Sequence, residues 1–202
     1  MSNEYICTAD DVKSRLAITS TEHDTVITKI IKGVASKFNT HTRRELIMPA
    51  AAVTEYFTGQ SRYLKVRRYP IISVTTIKEA CDYDFTNADA LVVNDDYRLV
   101  NTGRNGIILR VAVPWLDIED AIQIVYQGGY CAAGVTPSAG QLAMPDDLIE
   151  AAIQQASFIF KRKDDIGLSS TSFQGGSVNV FANMKLLPLV EETLEDYIRR
   201  AL

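Results

Sequence analysis

The apolar residues of this chain keep two different periods, and the place where the period changes constrains the fold more than any motif. Ile27, Ile30, Ile31, Val34 and Phe38 recur at spacings of three and four, as do Leu148, Ile149, Ala152, Ile153, Ala156 and Phe160. Each set makes one face of an amphipathic helix. Between them the pattern is that of short strands: Val53–Thr54–Glu55–Tyr56–Phe57, Tyr63–Leu64–Lys65–Val66, Ile71 to Ile77, Leu91–Val92–Val93, Tyr97–Arg98–Leu99–Val100, Ile107 to Val111 and Ala121 to Tyr126. Turn residues separate them at Asn94–Asp95–Asp96 and Gly103–Arg104–Asn105–Gly106. Closely spaced strands without intervening helices exclude a βαβ sheet and predict an antiparallel one.

The helical ends carry their own punctuation. Thr8 is placed to cap a short helix over Ala9 to Leu16, with Asp11 at the third position of a capping box. A second helix begins near Thr21, and Pro49 closes that helical region. Asp146 and Asp147 suit the first turn of a third helix and Lys161–Arg162–Lys163 its end. A fourth starts near Pro188, with Val190, Leu194, Tyr197, Ile198 and Ala201 as its apolar stripe. The Gly- and Ser-rich stretch Asp164 to Met184 predicts a long mobile loop. The fold class is therefore α+β: a four-helix scaffold, with two N-terminal and two C-terminal helices, and an inserted antiparallel β-sandwich or barrel-like domain. The boundaries fall at 1–50 and 140–202 for the scaffold and 51–139 for the insertion.

Composition narrows the function classes. The 202 residues carry a net charge of −4, which gives no general electrostatic support to polyanion binding. No apolar run approaches the ~20 residues that span a bilayer, so no membrane partner is expected. Three widely spaced cysteines, Cys7, Cys81 and Cys131, suit reduced thiols better than a disulfide framework or a zinc site.

Catalytic groups are not evident. His23 and His41 have no partner at metal-ligand spacing, and no nucleophile motif is present. Asp82, Asp84 and Asp89 resemble part of a calcium loop, but Asn87 and Val93 stand where such a loop needs glycine and glutamate. Arg62, Lys65, Arg67 and Arg68, interleaved with Tyr63 and Tyr69, form the one candidate nucleic-acid strip. Strand alternation splits it between two faces. No catalytic, cofactor-binding or metal site is expected, and the chain is not expected to be an enzyme.

The order of these elements resembles the head–tail connector, or adaptor, proteins of tailed bacteriophages, in a longer form with inserted strands. Thr8 to Leu16 matches the opening helix, and the Ile27–Phe38 stripe closing on Thr42–Arg43–Arg44 the long second helix. Tyr56–Phe57–Thr58–Gly59, Tyr69–Pro70–Ile71–Ile72–Ser73–Val74 and Val125–Tyr126–Gln127–Gly128–Gly129–Tyr130 follow in order. Pro145 to Ala151, Gly167–Leu168–Ser169–Ser170 and the terminal helix complete the pattern.

The resemblance implies a structural virion protein at the head–tail junction, made in the host cytoplasm. It would form a homo-oligomeric ring, commonly of twelve subunits in such proteins, between the portal protein and a downstream connector or tail-completion protein. Double-stranded DNA would pass through without sequence-specific binding. It implies portal docking through the C-terminal segment, where Tyr197, Ile198, Arg199, Arg200 and Leu202 are expected to contribute because they end an amphipathic helix too short to be stable alone. It also implies an assembly or channel loop containing Gly167, Ser169, Ser170, Gly175 and Gly176. The rival readings are a nucleic-acid module built on residues 62–68, a hydrolase with an unfamiliar site, and a tail-completion protein.

Overall fold

The structure, a computed structural model, describes residues 5–163, 170–173, 176–179 and 186–200. Helix α1 (Ala9–Leu16) begins at the expected cap. The Thr8 hydroxyl accepts from the Asp11 amide, and the Asp11 carboxylate accepts from the Thr8 amide at 2.9 Å. Helix α2 (Asp24–Thr42) buries Ile27, Ile31, Val34 and Phe38, the residues of its sequence stripe. It stops because Arg43 takes a left-handed conformation (φ 54°) and turns its N–H back to Asn39 and Thr40. Helix α3 (Asp146–Lys161) packs against α1 and α2, and α4 (Pro188–Glu195) closes the bundle through Val190 and Leu194. The helical core gathers these faces around Ile6, Leu46, Met144, Leu148 and Phe160. At about 1.5–3 kcal/mol for each fully buried large side chain, this packing is what makes the eight-residue helices α1 and α4 stable.

The middle of the chain forms two three-stranded antiparallel sheets. One has the order β1 (Val53–Phe57), β6 (Ile122–Gly128), β3 (Ile71–Glu79); the other β2 (Tyr63–Lys65), β5 (Ile107–Arg110), β4 (Tyr97–Leu99). Strand β6 alternates inward and outward along its whole length, sending Ile122, Ile124 and Tyr126 inside. Both sheets feed one further cluster of buried residues, which includes Leu64, Ile77, Ile108 and Trp115. The sheets share this core without closing into a barrel. The α+β class with its helical ends and inserted strands thus holds.

Several local expectations fail for physical reasons. Leu91–Val92–Val93 forms one bridge, Val93 to Tyr97, rather than a strand, and Val92 and Val93 stay 53% and 52% exposed. The turn after them is locked by the Asp96 carboxylate, which accepts from the Val92 amide, so pairing with β3 stops at the Leu91 amide's 2.8 Å bond to the Ile77 carbonyl. Within the stretch read as a loop, Ser170–Phe173 (β7) and Gly176–Asn179 (β8) pair antiparallel. The last helix ends at Glu195 instead of running to Ala201, because the chain beyond it turns to bond the β sheets.

Candidate functional site

Four stretches of chain converge where the helical core meets the β core: the exit of α2, the β2–β3 link, the exit of β6 at Gly129–Tyr130, and the segment after α4. Arg44, one residue past the left-handed turn, is only 5% exposed. Its guanidinium lies 3.4 Å from the centre of the Tyr69 ring and 5.5 Å from that of Tyr130, and it donates to the Tyr69 carbonyl. Burial pushes its pKa below the ordinary arginine value, against the two tyrosines. Its Nε, fully enclosed, has no hydrogen-bond partner among the described residues.

Glycines allow this close approach. Gly129 sits at φ 110°, where an added Cβ would lie 2.8 Å from the Met48 amide nitrogen. That lets residues 46–48 run beside Tyr130, with bonds of 2.8 Å from the Tyr130 amide to Leu46 and from the Met48 amide to Tyr130. Asn39 tightens the same corner, donating to Glu45 at 2.7 Å and accepting from the Leu46 amide at 3.1 Å.

The C-terminal segment completes the junction. The Arg199 amide donates to the Thr42 carbonyl at 2.7 Å, satisfying an end carbonyl of α2. The Arg199 side chain donates to the carbonyls of Lys65 (2.6 Å) and Val66 (3.2 Å). Tyr197 donates its hydroxyl to Asp147 at 2.8 Å, and burial followed by that carboxylate raises its pKa. Lys65 reaches the Arg200 carbonyl at 3.2 Å. Its pKa is lowered, first by burial and then by Arg199, Arg44 and Arg200 around it.

Beside this junction lies an open cleft of about 700 Å³, lined among others by Lys32, Ser36, Arg43, Arg44, Arg67 and Arg68. Its acid, Glu45, is engaged by Asn39 and lies 3.9 Å from Arg68, whose Nε is 3.3 Å from Glu55.

The sequence candidates separate accordingly. Of the basic strip, Arg68 is held by two carboxylates, Arg62 donates to the carbonyls of Arg110 and Val111, and Lys65 faces the C-terminal segment. Arg62 and Arg67 are both exposed and form no ion pair among the described residues; the Arg62 guanidinium is bonded to carbonyls, while that of Arg67 lies 5.9 Å from the Phe57 ring centre. The four do not form one strip. Tyr197 and Arg199, assigned to docking, make bonds within the chain; Ile198 is half-buried, and Arg200 is exposed, its side chain without a hydrogen bond or ion pair among the described residues. Leu202, Gly167, Ser169 and Gly175 lie outside the described residues, while Ser170 and Gly176 fall in β7 and β8.

Asp82 and Asp84 accept from the amides of Asp84 and Thr86, both at 3.1 Å, as loop-shaping acids do. The three cysteines are free, with Cys7 and Cys131 buried and Cys81 exposed. His23 packs edge-on against Phe160, and His41 lies 3.9 Å from Glu195. Sequence reasoning missed Arg44 and Arg199 as the hubs of the junction. The one available signal was the arginine pair directly after the long helix.

Solved structures share this fold. The chain aligns over 96% of its length with a chain of the neck of an empty gene transfer agent particle computed with C6 symmetry, over 90% of that chain, at 14% identity and TM-score 0.59. The neck of the native particle computed with C12 symmetry gives 14% identity and TM-score 0.58 over the same shares of the two chains. The virion of the native particle gives 14% and 0.59, again over 96% and 90%. No curated protein matches significantly. The sequence model of one family, described as head completion protein, matches residues 5–200, nearly the whole chain, and the chain belongs to that head completion protein family.

Proposed function

We propose that this chain is a structural subunit of a virion neck, acting at the junction of head and tail with no bond made or broken. The observation that carries the reading is the family match over residues 5–200. The fold likeness to a neck protein across 96% of the chain agrees with it. The junction described above has the character such a part needs: charged groups held in internal bonds, two cores tied together, and no cluster of three or more metal-ligating residues among those described. Residues 1–50 and 140–202 act as the scaffold and 51–139 as an insertion, joined through Arg44 and Arg199.

In this reading, copies form a ring that continues the DNA channel below the portal, commonly with twelve members, and receives the next connector or tail component. Ile198 and Arg200, with Leu202 beyond them, are left to meet the portal, while Tyr197 and Arg199 set the position of that segment. Electron microscopy of the purified chain mixed with its cognate portal tests this. An added annulus on the portal is expected. Portals that stay bare at saturating chain, under conditions where particles assemble, defeat it.

A further inference from the structure

Resting on the neck reading, we infer that neighbouring copies join head to tail, the acidic outer face of α4 on one copy seating in the basic cleft beside α2 on the next. The outward side of α4 carries Leu189, Glu191, Glu192, Glu195 and Asp196, all exposed, while Val190 and Leu194 point into the core. Among the described residues Glu191, Glu192 and Asp196 form no ion pair, and Leu189 is 58% exposed in their midst. The cleft offers the complement. Lys32, Arg43 and Arg67 line it as exposed cations without an ion pair among the described residues, and Ile47, Met48 and Pro49 line its apolar part. Arg44, only 5% exposed, contributes to the same lining. A Cβ added at the nearby Gly33 would meet nothing within 4 Å, so the helix surface beside the cleft is open to a close partner.

The placement of the two patches decides the kind of contact. At about 100° per residue, Lys32 and Ser36 lie on one flank of α2, and His41, which faces α4, lies about 160° round the axis from their midpoint. Acid and base therefore sit on opposite flanks of one molecule and cannot satisfy each other within it. A twofold contact pairs acid with base only when one interface holds both patches, and patches on opposite flanks do not share one; a twofold contact through either patch alone opposes like charges. A head-to-tail contact brings opposite charges together and repeats, which is the arrangement that closes into rings. Leu189 then covers the apolar side of the cleft while the glutamates meet its cations.

The test is a charge exchange scored in assembled particles as copies of the chain per particle. One variant carries Glu192→Lys and Asp196→Lys; the other carries Lys32→Glu and Arg67→Glu. These are solvent-facing positions, and thermal melts check that both variants fold. Either variant alone should drop copy number about tenfold or more through like-charge contact. The two produced together, or all four changes in one chain, should restore it, because every junction again pairs opposite charges. Full copy number in either single-patch variant overturns the inference, as does failure of the combinations to restore it. A defect confined to the cleft variant also overturns it and assigns the cleft to duplex DNA instead. Absence of the unaltered chain from the neck would refute the neck reading itself. Its presence there with no response to charge exchange refutes only the interface.

Discussion

Replacing Arg199 by alanine asks whether the two cores act as one body. The substitution leaves the backbone bond from residue 199 to Thr42 intact and removes both side-chain bonds, at 2.6 and 3.2 Å, to the carbonyls of Lys65 and Val66. A hydrogen bond to a charged donor contributes about 1.5–3 kcal/mol, and the partial exposure of Arg199 places these two at the low end, about 3 kcal/mol together. Removing the guanidinium also relieves its repulsion of Lys65, returning something under about 1 kcal/mol at this exposed edge. The net loss is about 2 kcal/mol, or a fall in Tm of roughly 4–8 °C for a chain of this size. Trp115, the only tryptophan, is buried in the β core and reports it by fluorescence, while far-ultraviolet circular dichroism reports the helices. Both signals should move together in the unaltered protein and shift down in the variant. A shift below 1 °C in both would refute the idea that Arg199 ties the cores.

Two further outcomes follow from other parts of the structure. Gly129→Ala places a methyl group 2.8 Å from the Met48 amide nitrogen at a positive φ, and should cost about 3 kcal/mol or more in a urea titration; a cost under 1 kcal/mol would contradict the tight crossing described there. Cys7 is buried and its thiol is pushed up to about 12, by burial first and Asp11 second. Its folded pKa lies above the unfolded value, so the stability it contributes is intact below pH 9 and declines between pH 9 and 12 by about 1.4 kcal/mol per unit. Cys7→Ala should remove that part of the slope, and an unchanged alkaline slope would count against the assignment.

What the sequence made legible was local chemistry repeated along an element. The Thr8–Asp11 box is self-contained within one turn, and the Ile27–Phe38 and Ile122–Tyr126 patterns each bury one face. Elements whose fate depends on distant chain were misread. A nearby group overrode propensity at Val92 and Val93: the Asp96 carboxylate takes the Val92 amide, and only Val93 bridges, to Tyr97. Tyr197 and Ile198 continue the apolar spacing of α4, yet Arg199 finds better acceptors at Lys65 and Val66, more than a hundred residues earlier, than another helical turn would supply. The site suffered most from this. Its members lie at residues 39–48, 65–69, 129–130 and 197–200; Lys65, Arg67, Arg68, Tyr197 and Arg199 were marked beforehand, but in other roles, and nothing in the sequence joined them.

The most direct measurement removes the chain from otherwise complete particles and follows genome retention and tail joining. Heads that fill and then leak their DNA, with tails left unattached, are the predicted result. Particles that keep their genome and join tails normally without this polypeptide would contradict the account.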